Sequence, residues 1–148
     1  MPAAEAAPGR GPRGVVRRDV VDHALARRRL LQEVRGGGLF STVSEDDVCD
    51  ASPYLKRAAR AYGVRTDRTC PLCRRDVVWE VSWVFGEAIG AASGSARSAA
   101  QVARLAADHP DFAVHEVEVC QRCGWNHLLR SWRTGTPGTR PARRSRER

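Results

Sequence analysis

Cys70-Pro71-Leu72-Cys73 and Cys120-Gln121-Arg122-Cys123 are the stretches that decide the fold, and they use four of the chain's five cysteines. Two residues between thiols let both sulfurs of one tight turn aim at a single ion. Two such turns facing each other make the tetrahedral four-sulfur cage that suits Zn²⁺. One pair alone would be ambiguous with a redox dithiol; two pairs in one short chain point to metal. The 46 residues between the pairs exceed the spacing of about 15–20 residues common in zinc ribbons. The insert must therefore be folded structure that returns the chain to the metal.

That insert has a legible layout. Val77 to Phe85 is β-branched and aromatic, with Trp79, Val81, Trp83 and Phe85 alternating onto one face, and reads as a strand. Gly90 to Gly94 reads as a loop, and Ser95 as the cap of a helix reaching about Ala107, with Ala99, Val102, Ala103 and Ala106 inward. This helix is expected to cover the face that carries Trp79 and Trp83. Phe112 to Val119 is a second strand running into Cys120, and Trp125 to Trp132 a third.

Before the first cysteine pair the chain reads as helical. One helix is expected from Val20 to Arg35, capped by Asp19 and stopped by Gly36-Gly37-Gly38, with Val20, Ala24, Leu31 and Val34 inward and Arg27, Arg28 and Arg29 on the solvated side. Ser44 followed by Glu45-Asp46-Asp47 starts a short helical turn. Ser52-Pro53 starts another helix, with Tyr54, Leu55, Ala58, Ala59 and Tyr62 as its apolar stripe and Gly63 as its end. The pair resembles a helix-turn-helix, a pattern shared by many helical pairs that only pack.

The formal charge of +8 sits at the ends of the 148-residue chain. Residues 1–18 hold four Arg and one Glu, residues 133–148 hold six Arg and one Glu, and residues 19–132 are balanced at 15 basic and 15 acidic side chains. Both ends are rich in Gly, Pro and Arg and lack periodic apolar residues, so both are expected to be disordered basic tails, able to bind nucleic acid without sequence preference. Residues 19–132 are expected to form one domain, with a helical part over 19–66 and a zinc and sheet part over 67–132. No run of about 18 apolar residues is present, and the N-terminus lacks the apolar stretch of a secretory signal; a cytoplasmic protein with reduced thiols is expected.

The chemistry-bearing residues are few. Cys70, Cys73, Cys120 and Cys123 would close the coordination sphere of one structural Zn²⁺, whereas a catalytic zinc keeps an open position. A redox dithiol is the competing reading; it usually needs a helix N-terminus or a base beside the thiol, and Cys70 precedes a strand. His127, four residues after Cys123, could replace a cysteine as ligand, support a thiolate by a hydrogen bond, or lie in the strand without any role at the metal. Cys49, outside both pairs, reads as a small buried apolar residue. Gly94, Ser95 and Arg97 form a possible anion site if a helix begins there; ordinary capping by Ser95 explains the same residues. The four Trp could make a stacking surface or a core. No Ser/His/Asp arrangement and no paired carboxylates at a catalytic spacing stand out.

The blocks VVDHALARRRLLQEV, VCDASPYLKRAA, CPLC, WVFGEAIGAASGSAR and FAVHEVEVCQRCGWNHL together resemble an actinobacterial family known as a domain of unknown function, number 5318. The resemblance covers roughly residues 19–132 and implies no activity, substrate or catalytic residue. The fold expected from the residues is α+β: a small zinc-ribbon-like antiparallel sheet with an inserted helix, preceded by a helical N-terminal half. The function expected is a macromolecular binding or regulatory module, its partner a protein or a nucleic acid; a thiol- or zinc-dependent enzyme is the alternative.

Overall fold

The computed structural model describes residues 15–36 and 42–136. Its elements in chain order are β1 (Arg18–Asp22), α1 (Ala24–Gly36), α2 (Glu45–Val48), α3 (Pro53–Tyr62), β2 (Val64–Thr69), β3 (Val77–Phe85), a 3₁₀ helix (Glu87–Ala92), β4 (Ser95–Arg97), α4 (Ala99–Asp108), β5 (Phe112–Cys120) and β6 (Asn126–Thr134). The class is α+β. The six strands form one antiparallel sheet in the order β1-β6-β5-β3-β2, with β4 also paired to β3.

The sheet has two unlike faces because side chains alternate along each strand. On one face Trp79, Val81, Trp83, Val117 and Val119 lie beneath α3, whose Ala58 and Ala59 are buried against them. These small residues let the helix backbone approach the two tryptophans. On the other face lie two apolar clusters. Val84, Val114 and Trp132, directly opposed across three strands, pack with Phe112 under Val102 and Ala106 of α4. Toward the cysteines, Val78 and Cys120 pack with Leu31 of α1, Val48 and Trp125.

Several expectations need correction. The helix covering Trp79 and Trp83 is α3, not the inserted helix. The insert makes a hairpin strand first: Ser95 lies in β4 opposite Val84, and Ser98 caps α4, accepting from Gln101 N while the Gln101 side chain accepts from Ser98 N. Because the chain doubles back along β3 before the helix starts, α4 is delivered to the opposite face. The N-terminal half is not purely helical. Val20 and Val21 belong to β1, Asp19 lies in that strand at φ 50° and caps nothing, and the Asp22 carboxylate accepts from Ala24 N instead. Arg27 turns inward rather than outward. Gly37 and Gly38 lie outside the described residues.

The tail boundaries also move. Val15 is buried in the α4 cluster, and Arg17 stacks over the Trp132 ring at 4.6 Å while pairing with Glu116. At the other end Arg133 and Thr134 complete β6, and Thr136 N donates to the Ala106 and His109 carbonyls. An apolar anchor and a cation–π contact order residues that composition alone assigned to a tail. Residues 1–14 and 137–148 lie outside the described residues. No described helix is long and apolar enough to cross a membrane.

Candidate metal centre

Each cysteine pair sits in a turn built the same way. Arg74 N donates to the Cys70 carbonyl and Gly124 N to the Cys120 carbonyl, at 3.2 and 3.0 Å. Both turns then need a left-handed residue, Arg74 at φ 55° and Gly124 at φ 84°. One turn joins β2 to β3 and the other joins β5 to β6. Since Val78 and Cys120 are register partners in adjacent strands, the sheet brings the two turns together although they are far apart in sequence.

The sulfurs interleave. Cys70 Sγ lies 3.7 Å from Cys123 Sγ, and Cys73 Sγ lies 3.8 Å from Cys120 Sγ. All four lie within 4.8 Å of one another. A tetrahedron with metal–sulfur bonds of about 2.3 Å has sulfur–sulfur edges of about 3.8 Å, so the four thiols are spaced to hold one metal ion. Cys70 and Cys120 are fully buried. Burial pushes the Cys70 thiol well above its ordinary range and the Cys123 thiol up to about 12. At Cys73 burial acts in the same direction but is outweighed by the Arg75 N–H and the neighbouring thiols, so that thiol is lowered. Without a cation Cys70 and Cys123 resist becoming thiolates; a bound dication removes that penalty.

Three further features surround the centre. Cys49 is packed against the same cluster. The four-thiol set does not include it. Trp125 is fully buried beside the cysteines and donates its indole N–H to Glu118 at 3.0 Å. Glu118, also fully buried, accepts from Arg27 and, at 3.0 Å, from Arg68, which also reaches Glu80 at 2.7 Å. A sequence signal for this group did exist: in FAVHEVEVC, Glu116 and Glu118 alternate onto the face of Phe112, Val114 and Cys120, and a carboxylate on a buried face demands cations.

His127 stacks on Trp125 with ring centroids 5.9 Å apart, and its Nδ1 donates to the Leu128 carbonyl. The Gly94-Ser95-Arg97 group loses the premise of its anion site, since no helix starts there. Gly94 N is bonded to the Val84 carbonyl, the Ser95 hydroxyl donates to the Ala92 carbonyl, and Arg97 Nε donates to Ser95 Oγ.

The chain matches the model of a family described as "Family of unknown function (DUF5318)" over residues 15–148. It belongs to that family. Similar proteins include the uncharacterized protein Mb0050 of Mycobacterium bovis and the uncharacterized proteins MT0055 and Rv0049 of Mycobacterium tuberculosis. Each is 51% identical over 123 residues, which is 83% of this chain and 85% of the relative. These relatives bear out the actinobacterial resemblance read from the sequence blocks. No solved structure matches the chain.

Gly124 offers a direct test of the turn geometry. A Cβ there would stand 2.9 Å from the Cys49 carbonyl oxygen, and the left-handed φ disfavours any side chain. Gly124→Ala is expected to cost about 2 kcal/mol in a urea titration, while Arg74→Gly, at the equivalent position of the other turn, is expected to be near neutral or stabilising.

Proposed function

We propose that this chain is a zinc-stabilised binding module for a macromolecule, with one structural Zn²⁺ held by Cys70, Cys73, Cys120 and Cys123. The observation that carries this reading is the closed, largely buried set of four interleaved thiols. Four sulfur ligands leave no coordination position for substrate or water, and thiolate ligation fits a borderline-soft dication such as zinc. The metal then acts on folding: it pins the β2–β3 turn to the β5–β6 turn and lets a small α+β sheet present its outer surfaces to a partner. A redox enzyme is the less favoured reading. The Cys73 thiol is lowered, but Cys70, its partner in the same turn, is pushed up by burial, as is Cys123, and four thiols converging on one point suit ligation of a metal better than exchange by one dithiol. Reduced thiols ligating zinc also suit a reducing compartment such as the cytoplasm.

Two measurements test the reading. Elemental analysis of the purified chain should give one zinc per chain, with thiols unreactive until a chelator is added. Affinity capture with and without nuclease treatment should then recover a partner by one route or the other. Freely reactive thiols in protein without metal would overturn the structural-zinc assignment.

A further inference from the structure

The charge balance of the folded part hides a segregation. The seven ion pairs among the described residues use Arg17, Arg18, Arg27, Arg68, Arg130 and Arg133. Those cations answer the carboxylates on the α1 and β1 side. Around α3 the situation is the opposite. Between Asp50 and Asp67 the chain carries Lys56, Arg57, Arg60 and Arg65 and no acidic residue at all, and none of these four takes part in an ion pair among the described residues.

Two adjoining depressions flank this helix. The first, about 310 Å³, lies between α3 and β4 and is lined by Tyr54, Arg57 and Tyr62 on the helix and by Ser95 and Arg97 on the strand. The second, about 370 Å³, lies on the other side of Tyr54 over the sheet, and Trp83, Phe85 and His115 form its floor. Tyr54 lines both. It is 59% exposed, and Phe85 is 39% exposed, high values for aromatic side chains on a folded surface. The rings are already arrayed against one another: Tyr54 and Trp83 have centroids 5.8 Å apart, and Phe85 and His115 4.8 Å apart. Burial, and then the charge of His23, hold the His115 imidazole below its usual pKa, so this aromatic shelf carries no charge of its own near neutral pH.

We propose that this surface binds single-stranded nucleic acid, with bases on the shelf of Tyr54, Trp83, Phe85 and His115 and phosphates along Arg57 and Arg97. The inference rests on the binding-module reading and names its partner. Guanidinium groups with no carboxylate partner among the described residues, beside exposed, uncharged rings, are what a flexible strand requires: every base offers a π-face, and each phosphate offers an anion to an arginine. A duplex hides its base faces and gains only the charge. An acidic protein segment could satisfy the arginines but would leave an open aromatic floor with nothing to stack, so it fits less of the surface. The anion reading of Ser95 and Arg97 thus returns in altered form, through Arg57 and Tyr54 of α3 and not through a helix N-terminus.

The test is fluorescence anisotropy with the full zinc-loaded chain and a short fluorescein-labelled oligothymidylate, over a series of salt concentrations. Tyr54→Ala is expected to weaken binding roughly 5- to 150-fold, as loss of one stacked base does, and Tyr54→Phe to restore it. The Arg57→Glu, Arg97→Glu double variant is expected to lower the slope of log affinity against log salt by about 1.4, or about 0.7 per lost phosphate contact. The Arg-rich termini are the same in all variants, so they cannot produce either difference. Wild-type binding by both variants would assign the affinity to the termini and overturn the proposal. So would duplex DNA binding as tightly as the single strand, or an acidic peptide displacing the oligonucleotide at equal concentration. Absence of oligonucleotide binding in protein with full zinc and a normal melting transition would overturn this inference alone, leaving a protein partner for the module; loss of zinc and fold in the wild-type chain would instead strike the reading beneath it.

Discussion

Cys120→Ser is expected to abolish stoichiometric zinc binding and, with it, cooperative unfolding of the sheet. Cys120 ends β5, is fully buried, and is the register partner of Val78 in the neighbouring strand. A serine there supplies no thiolate and leaves a shorter hydroxyl among sulfurs. Structural zinc contributes about 10–16 kcal/mol in small peptides, which matches or exceeds the 5–15 kcal/mol net stability of a typical domain. Losing one of four ligands is therefore enough to leave the fold without a margin. Circular dichroism melting with zinc analysis on the same sample checks this, and Cys49→Ser serves as the control that should retain one zinc. A pH series sharpens it. In the metal-free chain the folded-state pKa values of Cys70 and Cys123 are raised above the unfolded value. Their contribution is therefore fully present below about pH 8.5 and lost as pH rises toward the folded values. The zinc-loaded chain holds thiolates and shows the opposite slope, because acid returns protons to the ligands. The midpoint of zinc-dependent folding should therefore move to lower zinc concentration from about pH 6 to pH 9; a midpoint independent of pH would mean that the thiols are not the ligands.

What could be read from the residues was what local pattern determines. Val77–Phe85 emerges with both ends right because seven of its nine residues are Val, Trp or Phe, which favours a strand over a helix, and Gly86 follows directly. The two cysteine turns were legible because the spacing of ligands is itself the chemistry. The failures share a cause. β2 reads Val-Arg-Thr-Asp-Arg-Thr, with no apolar alternation. It is a strand because β3 offers it a backbone edge, and its charges are the kind that protect an exposed edge from further pairing. Val20 and Val21 fit either a helix or a strand, and pairing with β6, more than a hundred residues away, decides between them. β4 is three residues long and exists as the return arm of a hairpin. Only the displaced start of α4 was avoidable: Ser98-Ala99-Ala100-Gln101 has the spacing of a capping box, which outranks a lone serine at position 95. For the site, sequence spacing identified the four sulfurs, and the alternation of Glu118 with Val114 and Cys120 marked a carboxylate on a buried face, but which cations answer it, and the placement of Trp125 and Cys49, depend on which faces meet across the sheet.

Glu118→Ala is expected to destabilise the chain by about 3–5 kcal/mol, lowering its melting temperature by roughly 10–20 °C. The carboxylate is fully buried, and its oxygens accept from Arg27, Arg68 and the Trp125 indole. Its removal leaves the Arg27 guanidinium, whose side chain is 25% exposed, and a buried indole N–H without their acceptor, and both penalties fall on the folded state. Arg68→Ala should cost far less, about 1 kcal/mol, because its side chain is 42% exposed and its other partner, Glu80, is 35% exposed and can turn to water. Arg27→Ala should fall between the two, since Arg68 and Trp125 continue to satisfy Glu118. The ordering of these three values, taken from guanidinium unfolding midpoints, is the discriminating result. If the network only fills space, a volume-matched Glu118→Met would be as stable as the wild type and Arg27→Ala would be the worst of the set. If the carboxylate organises it, as three converging donors imply, Glu118→Gln should keep part of the stability and Glu118→Ala should be worst. Zinc stoichiometry then reads out the coupling: Trp125 follows directly on Cys123-Gly124 and its backbone N–H lies 3.3 Å from the Cys123 sulfur. Loosening the indole from Glu118 should therefore weaken the metal site from behind, without touching any of its four ligands.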